Sequence, residues 1–98
     1  MVDYRLRIDS VFIALSDSTR RDILDRTLST TLTVNQIAMD YDMSLAAVSK
    51  HLKVLSDAGL ITRRKSGRYV FISASPEGLS DAYDYLAQYQ STNINKEQ

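Results

Sequence analysis

The sequence predicts a mainly α-helical domain completed by one small β-hairpin. Two observations carry that prediction. Apolar residues recur at helical spacing through most of the first sixty positions and again after Pro76, whereas the segments on either side of Ser66-Gly67 are extended in pattern, rich in β-branched and aromatic residues. The 98 residues suit one domain with a single small core, and 44% hydrophobic with 24% charged residues is an ordinary globular balance. Residues 1–90 are read as that domain and 91–98, "STNINKEQ", as a flexible tail.

In order, residues 4–15 place Ile8, Val11, Phe12 and Leu15 on one helical face, which needs a partner. A second helix follows over about 18–29, with Ser16 or Asp17 as its N-cap and Ile23 and Leu28 on the inner side. After the separator "TTLTV", Thr33 and Gln36 form a capping-box pattern that starts a short third helix with Val34, Ile37 and Ala38 inward. Ser44 caps a fourth helix that runs to about Ala58, where Gly59 supplies a left-handed stop. "LITRRK" and "RYVFISA" make the hairpin, joined by Ser66-Gly67, with Val70 and Ile72 inward and Arg64 and Arg68 in water. Pro76 opens the last helix, with Leu79, Tyr83, Leu86 and Tyr89 or Gln90 as its stripe.

The fourth helix carries the functional signal. At 100° per residue, Leu45, Val48, Leu52 and Leu55 fall within about 80° and form a core face. Ala46, Lys50, Lys53 and Asp57 lie opposite, with Ala47 and Ser49 at the edges, so small side chains and a hydroxyl lead and lysines follow. Net charge is zero, yet residues 50–73 hold Lys50, Lys53, Arg63, Arg64, Lys65 and Arg68 against Asp57 alone. One segment is thus built to meet an anion. A helix, a short turn and a second helix is the unit that places its second helix in a DNA groove. There, Ala46 and Ala47 pack on thymine methyl groups, Ser49 bonds a base edge or phosphate, and Lys50 and Lys53 hold phosphates or guanine.

Three stretches, "ALSDSTRRDIL", "DMSLAAVSKHLKVLSDAGLI" and "RRKSGRYVF", together resemble the ArsR-type winged helix-turn-helix repressors over residues 8–90, in the family's order and spacing. The resemblance implies a dimeric transcription factor, with helix 44–58 in the major groove and the 61–73 hairpin as wing. The DNA-facing set is then Arg20, Ser44, Leu45, Ala46, Ala47, Ser49, Lys50, Lys53, Arg64, Lys65, Ser66 and Arg68. The first and last helices form the dimer interface through Ile8, Val11, Phe12, Leu79, Tyr83, Leu86 and Tyr89. Metal-sensing members carry a cysteine pair in the third helix or His and Asp ligands in the last. This chain has no cysteine, and "PEGLSDAYDYLAQYQ" has no histidine, so no metal site and no cofactor are expected. Family members often have glutamine at the position of Leu45 and proline at that of Ala46. Leu45 is therefore either core or an apolar probe.

Expected partners are a near-palindromic double-stranded operator and a second copy of the chain, with the releasing effector unspecified. A winged-helix module that docks an acidic protein is the alternative. An enzyme lacks its parts here: no activated nucleophile, no paired acid and base, no phosphate-cradling glycine loop. His51, the lone histidine, reads as a structural residue bonded to a neighbouring helix or to the DNA backbone. Asp40 and Asp42 fall short of the oxygen count a hard cation needs, and Met39 and Met43 read as core filler. The absence of cysteine and of a long apolar stretch near the N-terminus fits the cytoplasm, without a signal peptide or membrane span.

Overall fold

The computed structural model describes the backbone of residues 4–96 and the side chains of residues 7–90. Its elements are α1 (Tyr4–Leu15), α2 (Ser18–Ser29), β1 (Leu32–Thr33), α3 (Val34–Asp40), α4 (Leu45–Asp57), β2 (Ile61–Ser66), β3 (Tyr69–Ala74), a 3₁₀ turn (Pro76–Leu79) and α5 (Ser80–Lys96). The helices and the hairpin are those the sequence predicts.

Local chemistry sets most boundaries. The side chains of Asp17, Thr33 and Ser44 each accept the N–H three residues on, from Arg20, Gln36 and Ala47 respectively, which gives an acceptor to one otherwise unpaired donor at the start of α2, α3 and α4. At the other end of α4, Gly59 has φ +75, and the N–H groups of Gly59 and Leu60 return to the carbonyls of Ser56 and Leu55. The same closure ends α3, where Asp42 takes the left-handed position at φ +54 and Met43 N–H bonds the Ala38 carbonyl.

The core gathers one face from every element. Ile23, Ile37, Val48, Leu52, Leu55, Leu60 and Ile72 are fully buried, and each such aliphatic side chain contributes about 1.5–3 kcal/mol by leaving water. Val11 and Ala14 join from α1 and Ala82 from α5, so the terminal helices are fastened to the same core. Truncating Leu52 or Leu55 to alanine would cost about 2–5 kcal/mol and is the simplest way to undo the packing.

Several details depart from the sequence expectation. Leu28 is 56% exposed, and the buried position on α2 belongs to Thr27, whose hydroxyl donates to the carbonyls of Ile23 and Leu24. That internal bond lets a polar residue face the core without an unmet donor. Met39 is 81% exposed and fills nothing, whereas Met43 packs against the core. The "TTLTV" separator contains β1, which pairs antiparallel with β3 to give the sheet order β1-β3-β2. Ser66 pairs with Tyr69, so the turn is centred on Gly67 and Arg68. Gly67, at φ +61, holds the first central position, the one that demands positive φ in a type II′ hairpin. Pro76 opens the 3₁₀ turn and α5 starts at Ser80, continuing past residue 90 to Lys96.

One close backbone approach fastens the C-terminal part. A Cβ on Gly78 would lie 2.1 Å from the Gly59 carbonyl oxygen, so only glycine lets the 3₁₀ turn rest on the corner between α4 and β2.

Candidate nucleic-acid interface

The second and fourth helices are locked into a fixed angle by polar side chains. Arg20 spreads its guanidinium over three acceptors: Nε donates to the Ala14 carbonyl at 2.9 Å, Nη2 to the Ile13 carbonyl at 2.9 Å, and Nη1 to His51 Nδ1 at 3.1 Å. Arg21 Nη1 donates to the Leu15 carbonyl at 2.7 Å. Together the two arginines bond the last three carbonyls of α1, of which Ile13 also accepts from Ser16. Since a guanidinium only donates, His51 Nδ1 must accept, which fixes the neutral ring as the tautomer protonated on Nε2. Asp17 Oδ2 lies 3.9 Å from the same Nδ1. The Asp17 carboxyl is held below its ordinary pKa, chiefly by the backbone N–H of Arg20. Arg20 thus acts as a structural clamp, with three of its five N–H groups engaged within the chain. His51 is bonded to a neighbouring helix, as one of its two readings had it.

A second pair of latches holds the turn before α4. Arg26 pairs with Asp40 at 2.6 Å and stacks over the Tyr41 ring at 5.4 Å, while the Tyr41 hydroxyl donates to Asp22. Burial, then the bond to Asp22, raises the Tyr41 pKa. Asp40 serves this latch, and among the described residues no group of three or more His, Cys, Asp or Glu converges as a metal site would require.

With that frame rigid, α4 divides as its wheel requires. Val48, Leu52 and Leu55 are buried, and Ala46, Ser49, Lys50, Lys53 and Asp57 are exposed, with Ala47 half-buried and Ser44 exposed at the cap. Leu45 is 53% exposed, so of its two readings the core one is excluded. Lys53 reaches Asp57 at 3.1 Å across one turn; both ends are open to water, so the pair is weak and exchangeable.

The hairpin sorts its basic residues by strand alternation. Arg63 and Lys65 share a face with the buried Ile61, whereas Arg64 lies opposite, its guanidinium 5.0 Å from the Phe71 ring centre. Arg68 at the tip stacks on Tyr69 at 5.8 Å, and Ser66 is exposed beside it. Arg63 and Arg68 line a groove with Leu45, Ser49, Val34 and Val70, which joins the first turns of α4 to the hairpin. Arg63 was absent from the expected contact set; counting by twos from Ile61 would have found it. Among the described residues, Lys50, Arg63, Arg64, Lys65 and Arg68 all lack a carboxylate partner, so the helix and the hairpin carry five uncompensated cations.

The terminal helices meet through an Arg7–Asp81 ion pair at 3.0 Å and an edge-to-face contact of Phe12 with Tyr85. Of the residues expected at a dimer interface, Ile8 and Val11 are buried within the chain, and Phe12 and Leu79 are half-buried against its core. Burial inside the chain removes Ile8 and Val11 from any exposed contact surface. Tyr83, Leu86 and Tyr89 remain exposed along α5.

Comparison with known proteins agrees with this geometry. Residues 15–64 match the family model described as a helix-turn-helix domain. The transcriptional repressor SdpR of Bacillus subtilis (strain 168) is 32% identical over 89 residues, which cover 91% of this chain and 94% of that protein. The crystal structure of an ArsR family transcriptional regulator superposes with a TM-score of 0.83 at 33% identity, covering 94% of this chain and 95% of the other. A solution structure of a homodimeric winged helix-turn-helix domain from Mycobacterium bovis shares the fold, with a TM-score of 0.69 at 24% identity over 87% of this chain and 79% of that one. An α4 that bares small and basic side chains beside a basic hairpin, on a frame shared with these regulators, identifies the chain as a DNA-binding transcriptional regulator of the ArsR family of winged helix-turn-helix proteins.

Proposed function

We propose that the protein is a dimeric repressor that lays α4 in the major groove and the β2–β3 hairpin on the flanking backbone. The observation that carries this reading is the groove in which Arg63 and Arg68 of the hairpin, without carboxylate partners among the described residues, meet Leu45 and Ser49 of the exposed face of α4. Cations without partners give phosphate affinity, and short side chains let the helix backbone approach base edges. Lys53 adds a further cation once it leaves Asp57. Repression follows the precedent of SdpR and acts by excluding polymerase from the site.

Dimerisation through α5 is supported by Tyr83 at 70% exposure together with Leu86 and Tyr89, an apolar row without cover in the single chain, and by the homodimeric state of the Mycobacterium bovis domain. Two α4 helices related by a twofold axis read half-sites roughly 34 Å apart, so the operator is near-palindromic. Cytoplasmic placement accords with this role; no helix among the described residues is long and apolar enough to cross a membrane.

Selection of bound sequences from random DNA with the purified protein tests the reading. An enriched palindrome, bound with an affinity that falls steeply with salt, is the expected result. Equal binding of the selected and scrambled sequences overturns it. Leu86→Glu should shift the protein from dimer to monomer in sedimentation velocity.

A further inference from the structure

The least expected feature of the reading surface is Leu45, a leucine on the first turn of α4 that half its surface leaves in water although the rest of its apolar row is fully buried. Around the helix axis it begins an exposed arc continued by Ser49, Lys53, Ala46 and Lys50. With Ser49 it is one of the two members of that arc that line a groove with Arg63 and Arg68 of the hairpin. The half-buried Val34 and Val70 add an apolar floor to that groove, which the two arginines also line.

An apolar floor beside cations suits a ligand that is apolar at one point and anionic next to it. Along the major-groove edge of a duplex, the four bases present donors and acceptors, and the methyl group at C5 of thymine is the apolar exception. A phosphate lies within one nucleotide of every such methyl. We infer that Leu45 is a specificity-determining residue that packs on the 5-methyl group of one thymine in each half-site, while Arg63 and Arg68 hold the adjoining backbone. This rests on the DNA-reading function proposed above and assigns one base preference within it.

The test uses the operator recovered by selection. Each thymine of one half-site is replaced in turn by deoxyuridine, which removes only the methyl group, and binding is measured by fluorescence anisotropy for the wild type, Leu45→Ala and Leu45→Met. Circular dichroism melts verify that the variants fold, as expected for an exposed position. At one thymine, wild-type affinity should fall about fourfold, the effect of one methyl group left in water. Leu45→Ala should show no loss there, and Leu45→Met, which keeps the apolar reach, should retain it. If every deoxyuridine penalty is the same in wild type and Leu45→Ala, or if the selected half-site contains no thymine, the assignment of Leu45 is overturned while DNA reading stands. If folded wild-type protein selects no sequence, DNA reading itself falls and this assignment with it.

Discussion

Arg20 Nη1 donates to His51 Nδ1 across 3.1 Å, joining the start of α2 to the middle of α4 while the rest of the guanidinium holds the end of α1. Arg20→Ala should therefore lower stability by about 2 kcal/mol, the scale of lost charge-assisted bonds in a half-buried place, in urea unfolding. Arg20→Lys should recover little of it, because a single ammonium cannot span three acceptors in one plane. The salt dependence of DNA binding should stay unchanged in both variants. Lys50→Ala, in contrast, should flatten the log-log slope by about 0.9, the loss of one phosphate contact.

Asp17 ties stability to acid. Its carboxyl titrates below the ordinary value of 3.8 in the folded protein, mainly through the Arg20 backbone N–H. A depressed carboxylate stabilises the fold above its unfolded pKa, and that contribution disappears as pH falls through the lowered folded value. Melting temperatures should accordingly drop below about pH 4. Asp17→Asn keeps an N-cap acceptor that does not titrate, and its melting curve should depend less on pH in that window.

The two central arginines of β2 should behave differently. Arg63→Ala should weaken operator binding and reduce the salt slope by about 0.9, since Arg63 lines the groove beside α4. Arg64→Ala should have the smaller effect on affinity, as its guanidinium rests on Phe71 across the sheet. Anisotropy titrations at three salt concentrations distinguish them.

Glycine is required at two positions for different reasons. No atom stands within 4 Å of a Cβ added to Gly59, so Gly59→Ala meets only the left-handed backbone and should cost about 1–2 kcal/mol. Gly78→Ala drives a methyl into a backbone carbonyl and should cost more, with the 3₁₀ turn displaced. Thermal unfolding of the two variants gives the order.

What the sequence made legible was whatever depends on neighbours in the chain. Thr33, Ser44 and Gly59 act within a few residues, and each stands where its helix begins or ends. The wheel of α4 was readable for the same reason, apart from Leu45, whose exposure is decided by how far α3 and the hairpin extend over the first turn. Thr27 outranks Leu28 in the core because a one-position difference on a helix is settled by the partner helix, which the pattern does not contain. β1 is two residues long and acquires its strand character only from β3, forty positions away. The clamp formed by Arg20 was hidden similarly: the carbonyls of Ile13 and Ala14 that it bonds lie on another helix, and no pattern near Arg20 signals them.

That short β1 has a mechanical outcome. It leads directly into α3 and pairs through Leu32 and Thr33 with Ile72 and Phe71, so the middle of the hairpin's second strand and the entrance to the helix pair share one sheet. In the proposed complex, the separation between the tip of α4 and the tip of the hairpin would set a calibre for the duplex. A duplex would then have to offer its groove and its backbone near that spacing, and bending of the DNA would help to make up a mismatch.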